Sequence, residues 1–230
     1  MKDYIVQAGP LRTFETLFDG RFEKIRAVGD YHTIEISAKP TTQRRYMNSM
    51  GRSADREVRF VSSFFQPLAK GHRTLFGIRD VVQGNAYKLG AKLKDQKKIR
   101  WAEMVYGSSE DDVLVAELKD FAGDFDLIKD CCPPTSGEMF FYLSASPFDV
   151  FDIYWQRACR DSLKAKEDRF RRDVVGLSNQ SKIALHQDAD GSFTVVVHPQ
   201  VTDVSEVENA IAAAGDKAGM SITFAPGLFS

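Results

Sequence analysis

The stretch SPFDVFDIYWQRACRDSLKAKEDRFRRDVVG, residues 146–176, has the start, the charge order and the end of one long helix. Ser146 can cap the free amides of a first turn, and Pro147 fits the position whose missing N–H costs nothing. Acidic side chains come first and arginines last, as the helix dipole favours, and Gly176 suits a left-handed C-cap. The pattern predicts a long amphipathic helix.

The apolar residues of this stretch recur at spacings of three and four, which places them along one stripe. They are Phe148, Phe151, Trp155, Cys159, Leu163, Phe170 and Val174. At 1.5 Å per residue, about 30 residues span roughly 45 Å. We therefore expect the helix to pack against chain segments on both sides of it in the sequence.

The segments before and after this helix have different patterns. Residues 1–145 carry short alternating runs separated by turn dipeptides such as Asp19-Gly20 and Gly29-Asp30, which predicts an antiparallel β-rich main domain. Residues 177–230 predict a small ββαβ module. Its elements are expected at Lys182–Gln187, Ser192–His198, Val204–Ala214 and Met220–Phe224. The predicted fold class is α+β, with the long helix packed on both parts.

A polar, basic segment without a regular period runs from Lys39 to Arg56 and predicts a long projecting loop, followed by a strand at Glu57–Phe65. Loops of this length in compact domains often bind partners. The candidate binding residues are Arg44, Arg45, Tyr46, Arg52 and Arg56, because arginines can hold phosphates while an aromatic ring stacks on a base. The alternative is contact with another copy, with Met47 and Met50 as adaptable apolar groups.

A helical stripe is also expected at Thr74–Leu93, although Gly77, Gly84 and Gly90 weaken it. A close approach to a sheet would explain two of these glycines. Two further strands are expected at Lys98–Tyr106 and Val113–Leu118.

Charge is unevenly distributed along the chain, although the formal net charge is only −1. The first hundred residues hold 20 basic and 10 acidic side chains, whereas residues 101–161 hold 4 basic and 13 acidic ones. Such asymmetry suits a polyanion-binding half, two halves of the chain that fold against each other and neutralise, or copies that stack basic face on acidic face.

Catalytic and cofactor motifs do not appear in the sequence, and we expect no catalytic residues, no metal and no cofactor. Asp124-Phe125-Asp126 has the form of a metal-binding pair but lacks a third carboxylate at a defined distance. His198 is expected opposite Ser181, too far along the strand from His186 to share a metal. The three cysteines are expected to be buried or reduced bystanders.

No signal peptide and no membrane-spanning apolar run is apparent, so we expect a cytoplasmic protein or one held within an assembled particle, without a membrane partner. Three functions remain open. The first is a non-catalytic structural protein that self-associates through its loop, exposed edges and charged faces, as a homo-oligomer or in a larger assembly such as a virion. The others are a nucleic-acid-binding protein that uses the arginine-rich loop, and an enzyme whose site is not visible in the sequence.

Overall fold

The computed structural model describes residues 2–8, 12–13, 30–38, 50–81, 99–106, 109–131, 139–151, 181–187, 193–198 and 204–224. Helices and a largely antiparallel sheet occur together in these ranges, which places the protein in the α+β class. The strands are β1 (Lys2–Ala8), β2 (Arg12–Thr13), β3 (Asp30–Ala38), β4 (Thr74–Val81), β5 (Ile99–Tyr106), β6 (Ser109–Glu117), β7 (Met139–Ser144), β8 (Ile183–Gln187), β9 (Phe193–Val197) and β10 (Met220–Phe224). The helices with both ends described are α1 (Met50–Leu68), α2 (Leu118–Gly123), α3 (Phe125–Cys131) and α4 (Val204–Ala218).

The sheet has the strand order β10-β1-β3-β9-β8-β7-β4-β6-β5, and β2 pairs beside it with β3. All neighbours are antiparallel except β1 and β10, which run parallel. Strands from residues 2–144 and strands from residues 183–224 therefore belong to one sheet. At one end of this order the first strand of the chain lies beside the last one that the structure describes.

The helices α1 to α4 form a layer on one face of the sheet, with α1 in contact with α4 and also with α2 and α3. Aromatic rings join this layer to the strands. Phe60 stacks on Phe193 with 4.5 Å between ring centres, and Phe65 meets Phe141 edge-on at 5.3 Å. Phe121 of α2 lies 5.5 Å from Phe141 and completes the cluster. Because burying one such ring stabilises a fold by about 1.5–3 kcal/mol, these contacts anchor the helices to the sheet.

The opposite face of the sheet is buried as well in its central strands. Phe76 and Tyr142 are register partners on that face and are both 1% exposed. Val115 of β6 is the register partner of both Phe76 and Arg100, so Arg100 lies on the same face of the sheet as Phe76. The Arg100 guanidinium is 5.9 Å from the centre of the Phe148 ring. The 146–176 stretch thus begins on the face of the sheet that α1 does not cover.

The start of the predicted long helix is confirmed as far as the structure describes it. Residues 148–151 are helical directly after Pro147, whose carbonyl accepts a hydrogen bond of 3.2 Å from the Val150 amide. Phe151, on the predicted apolar stripe, is buried. Residues 152–176 lie outside the described residues, so the length of the helix stays a prediction.

The elements predicted near the end of the chain are also confirmed, with small shifts of their bounds. Strands occur at Ile183–Gln187, Phe193–Val197 and Met220–Phe224, and the helix between them runs on to Ala218. The division of the chain into a main domain, a long helix and a small module stays a prediction.

The strand predicted at Glu57–Phe65 is wrong, because these residues lie in α1. The helix begins at Met50, so the last part of the predicted loop, up to Arg56, is helical too. Its buried apolar residues recur three and four positions apart, as the sheet-facing side of a helix requires. They are Val58, Phe60, Val61, Phe64, Phe65 and Leu68. Aromatic and branched residues favour strands in isolation, but here the helical period decided the outcome.

The helix predicted at Thr74–Leu93 is likewise wrong in its first part, where β4 runs from Thr74 to Val81. A strand buried on both faces is apolar at successive positions, so the alternation that marks a strand is lost. Close packing explains the glycine at position 77, because a Cβ there would lie 2.8 Å from Met139 Cε and 3.0 Å from Leu114 Cγ. Residues 82–93, with Gly84 and Gly90, lie outside the described residues.

Candidate functional site

The candidate binding residues from the sequence fall into two groups. Arg44, Arg45 and Tyr46 lie outside the described residues. Arg52 and Arg56 lie in the first two turns of α1 instead of a loop, and the Nη1 atom of Arg56 is buried without a hydrogen-bond partner in the described part of the chain. The structure therefore places two of the five residues on a helix of the packed layer.

Acidic helices flank α1 on both sides. Helices α2 and α3, together with Asp124 between them, carry four carboxylates and two lysines, and α4 carries three carboxylates and one lysine. The exposed Asp55 of α1 forms an ion pair of 2.9 Å with Lys129 of α3, and Asp55 and the neighbouring acids hold the pKa of Lys129 above its ordinary value. A polyanion that approached the arginines of α1 would meet these carboxylates, so this layer does not form a basic groove.

Polar side chains on the outer side of α1 are used to join helices. Ser62 donates a hydrogen bond of 2.7 Å to the Ala122 carbonyl of α2. Gln66 accepts one of 3.3 Å from Lys217 of α4. These contacts connect α1 to both neighbouring helices, so this surface of α1 takes part in packing within the helical layer.

Two buried polar groups lie near one end of the contact between α1 and the sheet. Glu57 is 1% exposed, and Gln187, at the end of β8, is 3% exposed with no partner for its Oε1 among the described residues. Phe60, one turn beyond Glu57, stacks on Phe193, and Phe193 is the register partner of Gln187. These groups supply hydrogen-bond acceptors but no nucleophile paired with a base.

Asp124, which the sequence marks as part of a metal-binding pair, has a structural function. Its Oδ1 accepts a hydrogen bond of 2.9 Å from the Leu127 amide, the geometry of an N-cap for α3. Among the described residues no three His, Cys, Asp or Glu side chains come close enough to hold a metal ion.

The described histidines sit in separate surroundings. His72 Nδ1 lies 3.2 Å from the Leu68 carbonyl at the end of α1. His186 stacks on Phe140, with 4.2 Å between ring centres and 3° between ring planes. His198 lies opposite Lys182, not Ser181 as the sequence predicted, since its amide donates a hydrogen bond of 2.8 Å to the Lys182 carbonyl. Burial and the Lys182 charge lower the pKa of His198.

The two strands that end the sheet are the remaining candidates for a contact surface. Among the described strands, β5 pairs only with β6 and β10 pairs only with β1. Strand β5 includes Arg100 and Glu103, and Phe148 lies near its Arg100. Strand β10, with the sequence MSITF, has no charged residue and no proline.

Helix α4 supports β10 closely. Met220 is buried, and Ile222 packs against the core below Gly215, where an added Cβ would collide with the Ile222 side chain. Gly219, in a left-handed conformation with φ of 65°, makes the turn from α4 into the strand. The sequence predicted β10 as a strand, but its place at the end of the sheet depends on pairing with β1, more than 200 residues away.

No protein-family model, no curated protein and no solved structure matches this chain significantly. The described residues contain no helix that is both long and apolar enough to cross a membrane.

Proposed function

We propose that this protein is a non-catalytic structural component that self-associates, and that strand β10 forms the contact between copies. The observation that supports the proposal is the position of an uncharged strand at the end of the order of described strands. A terminal strand carries a row of backbone N–H and C=O groups that can pair with another chain. Monomeric proteins usually block such an edge with charges, proline or a bulge.

Strand β5 is the weaker candidate for this contact. Its sequence IRWAEMVY contains both an arginine and a glutamate, which are residues that natural proteins use to discourage edge pairing. The residues between Met220 and Phe224 offer no such barrier.

Nucleic-acid binding is the alternative, and it depends on Arg44, Arg45 and Tyr46. The acidic helices beside α1 do not favour nucleic-acid binding at the helical layer.

Stacking of oppositely charged faces would add to self-association if the uneven charge of the sequence extends to the surface. The setting of such an assembly would be the cytoplasm or a larger particle.

Light scattering coupled to size exclusion tests the proposal, with protein from about 10 μM to 1 mM, at low and at high salt. We expect the mass to rise with concentration and to change little with salt, because backbone pairing and apolar contact are screened weakly. A monomer at every concentration would refute self-association.

The same measurement with a mixed-sequence oligonucleotide separates the alternatives. A monomer that binds the oligonucleotide and releases it at high salt would support nucleic-acid binding instead. The matched variant is Arg44→Ala with Arg45→Ala, which should weaken that binding but leave self-association unchanged.

A further inference from the structure

We infer that two copies pair through β10 in an antiparallel, two-fold symmetric contact centred on Ile222, so that the sheet continues from one copy into the other. This inference rests on the proposed self-association and specifies its partner, its strand and its register. It is drawn from the sequence pattern of β10, its place in the sheet and the shape of α4 above it.

The pattern of β10 is symmetric about its central residue. Apolar and hydroxyl residues alternate along the strand in the order Met220, Ser221, Ile222, Thr223, Phe224. When the strand is paired antiparallel with its own copy about Ile222, Met220 comes opposite Phe224, and Ser221 comes opposite Thr223. Apolar residues then meet apolar ones and hydroxyls meet hydroxyls, as favourable cross-strand pairs require.

Symmetry restricts the register further. A two-fold axis perpendicular to the sheet maps each face onto itself, so residues that pair across it must belong to the same face. The axis must then lie midway between the two copies of one residue, so that this residue pairs with its own copy. Centring on Ile222 pairs all five residues of the strand, whereas centring on Ser221 or Thr223 would pair only three.

The helix above β10 leaves space for the second copy. Lys217 marks the flank of α4 that faces α1, through its contact with Gln66. Ala212, partly exposed, lies about 140° around the helix from Lys217, and Gly215 sits directly over Ile222. The flank toward the axis therefore has small residues where two α4 helices would come closest.

Asp216, about 40° from Ala212 around the helix, is exposed on the solvent side of this flank, and Glu208 lies on the flank itself but does not obstruct the contact. It precedes Gly215 by two helical turns, or about 10 Å. Because the two helices would run antiparallel across the axis, the two Glu208 residues would be about 20 Å apart, where solvent and salt screen their repulsion.

Cysteine pairs test the register directly. Residues opposite each other in antiparallel strands alternate between close, non-hydrogen-bonded pairs and wider, hydrogen-bonded pairs. Either the 222–222 pair or the 221–223 pair is therefore close enough for a disulfide. We expect mild oxidation to link either Ile222→Cys with itself or Ser221→Cys with Thr223→Cys in an equimolar mixture, with the linked peptides identified by mass spectrometry.

Ser221→Cys oxidised alone is the matched control. Its two thiols would be diagonal neighbours, about 7–8 Å apart, which is beyond disulfide reach, so its yield should be at least about tenfold lower. Efficient linkage of Ser221→Cys with itself would overturn the register.

The remaining outcomes separate this inference from the proposed function. Concentration-dependent oligomers without either expected disulfide would refute the β10–β10 pairing but leave self-association standing. A protein that stays monomeric up to about 1 mM would refute both.

Discussion

Single residues decide which side chains fit between neighbouring strands of the sheet, and Gly77 is the clearest case. In β4 it lies between Leu114 of β6 and Phe141 of β7, while the Met139 and Leu114 side chains occupy the space where its Cβ would be. The sequence offered the glycine as a sign of close approach but assigned it to a helix. Only the pairing of β4 with two distant strands shows which groups approach.

Gly77→Val should lower the free energy of unfolding by about 1–3 kcal/mol, because the branched side chain must displace packed atoms on both neighbouring strands. Urea denaturation measures this change. Gly71→Ala is the matched control, since nothing lies within 4 Å of the position of its Cβ. We expect its effect to stay within about 0.5 kcal/mol, and equal losses in the two variants would contradict the packing described for β4.

His198 gives the fold a dependence on pH. Its pKa in the folded protein is below the ordinary value of 6.5, because burial and then the Lys182 charge disfavour the imidazolium. The unfolded chain therefore binds more protons near pH 6 than the folded one. Its contribution to stability is present above the unfolded-state pKa of 6.5 and is lost as the pH falls below that value and through the lower pKa of the folded protein.

Urea denaturation at pH 7.5 and pH 5.5 should show a larger loss of stability for the natural protein than for His198→Gln. In nuclear magnetic resonance titrations, Lys182→Gln should raise the pKa of His198. A folded-state pKa at or above 6.5 in the natural protein would show that the imidazole is not in the surroundings described.

At the scale of elements, local hydrogen bonds set the boundary between α2 and α3. Asp124 ends one helix, with its amide 3.1 Å from the Phe121 carbonyl, and caps the next through Leu127. The Asp-x-Asp pattern at residues 124–126 therefore marks a helix boundary and not a pair of metal ligands. The same residue types serve both purposes, so the sequence alone could not distinguish a cap from a ligand pair.

Asp124→Ala should lower the free energy of unfolding by about 1 kcal/mol, the usual cost of a lost N-cap. Asp126→Ala removes the same charge from an exposed position in the first turn of α3 and should cost less. Thermal or urea unfolding of both variants provides the comparison. A larger loss for Asp126→Ala would argue that charge and not capping is the function of this segment.

Much of the element content could be predicted from sequence where a period or a boundary signal is clear. Helix α4 shows its helical period, β10 alternates, and Pro147 marks the start of the helical residues 148–151, whereas β8 and β9 were recognised as strands from their apolar runs although both of their faces are buried. The sequence predicted a strand where α1 lies and a helix where β4 lies. In the prediction for α1 the aromatic content was given more weight than the helical period, and in β4 burial on both faces removed the alternation that marks a strand.

At the scale of the whole molecule, the sheet order is the feature that sequence could not supply. Its hairpins β5–β6 and β8–β9 join neighbours along the chain, but β1–β10, β3–β9 and β4–β7 join distant segments. The candidate contact surface follows from one of these distant pairs, because β10 is at the end of the described strands only when β1 lies on its other side. No local motif encodes such a surface.

Charge exchange across the proposed axis is the most direct test of self-association through β10. In Ser221→Lys with Thr223→Lys, the register places two lysine pairs directly opposite each other, and the corresponding glutamate variant places two glutamate pairs there. Two like-charged pairs should cost about 1–2 kcal/mol, which weakens association about 5- to 30-fold. Ser221→Thr with Thr223→Ser keeps the pattern and should associate as the natural protein does.

Sedimentation equilibrium of the lysine variant, the glutamate variant and their equimolar mixture makes the measurement, with urea unfolding to confirm that each variant is folded. We expect each variant alone to be predominantly monomeric at a concentration where the natural protein is dimeric, and the mixture to recover the dimer through opposite-charge pairs. A lysine variant that associates like the natural protein, or a mixture that stays monomeric, would contradict pairing through β10.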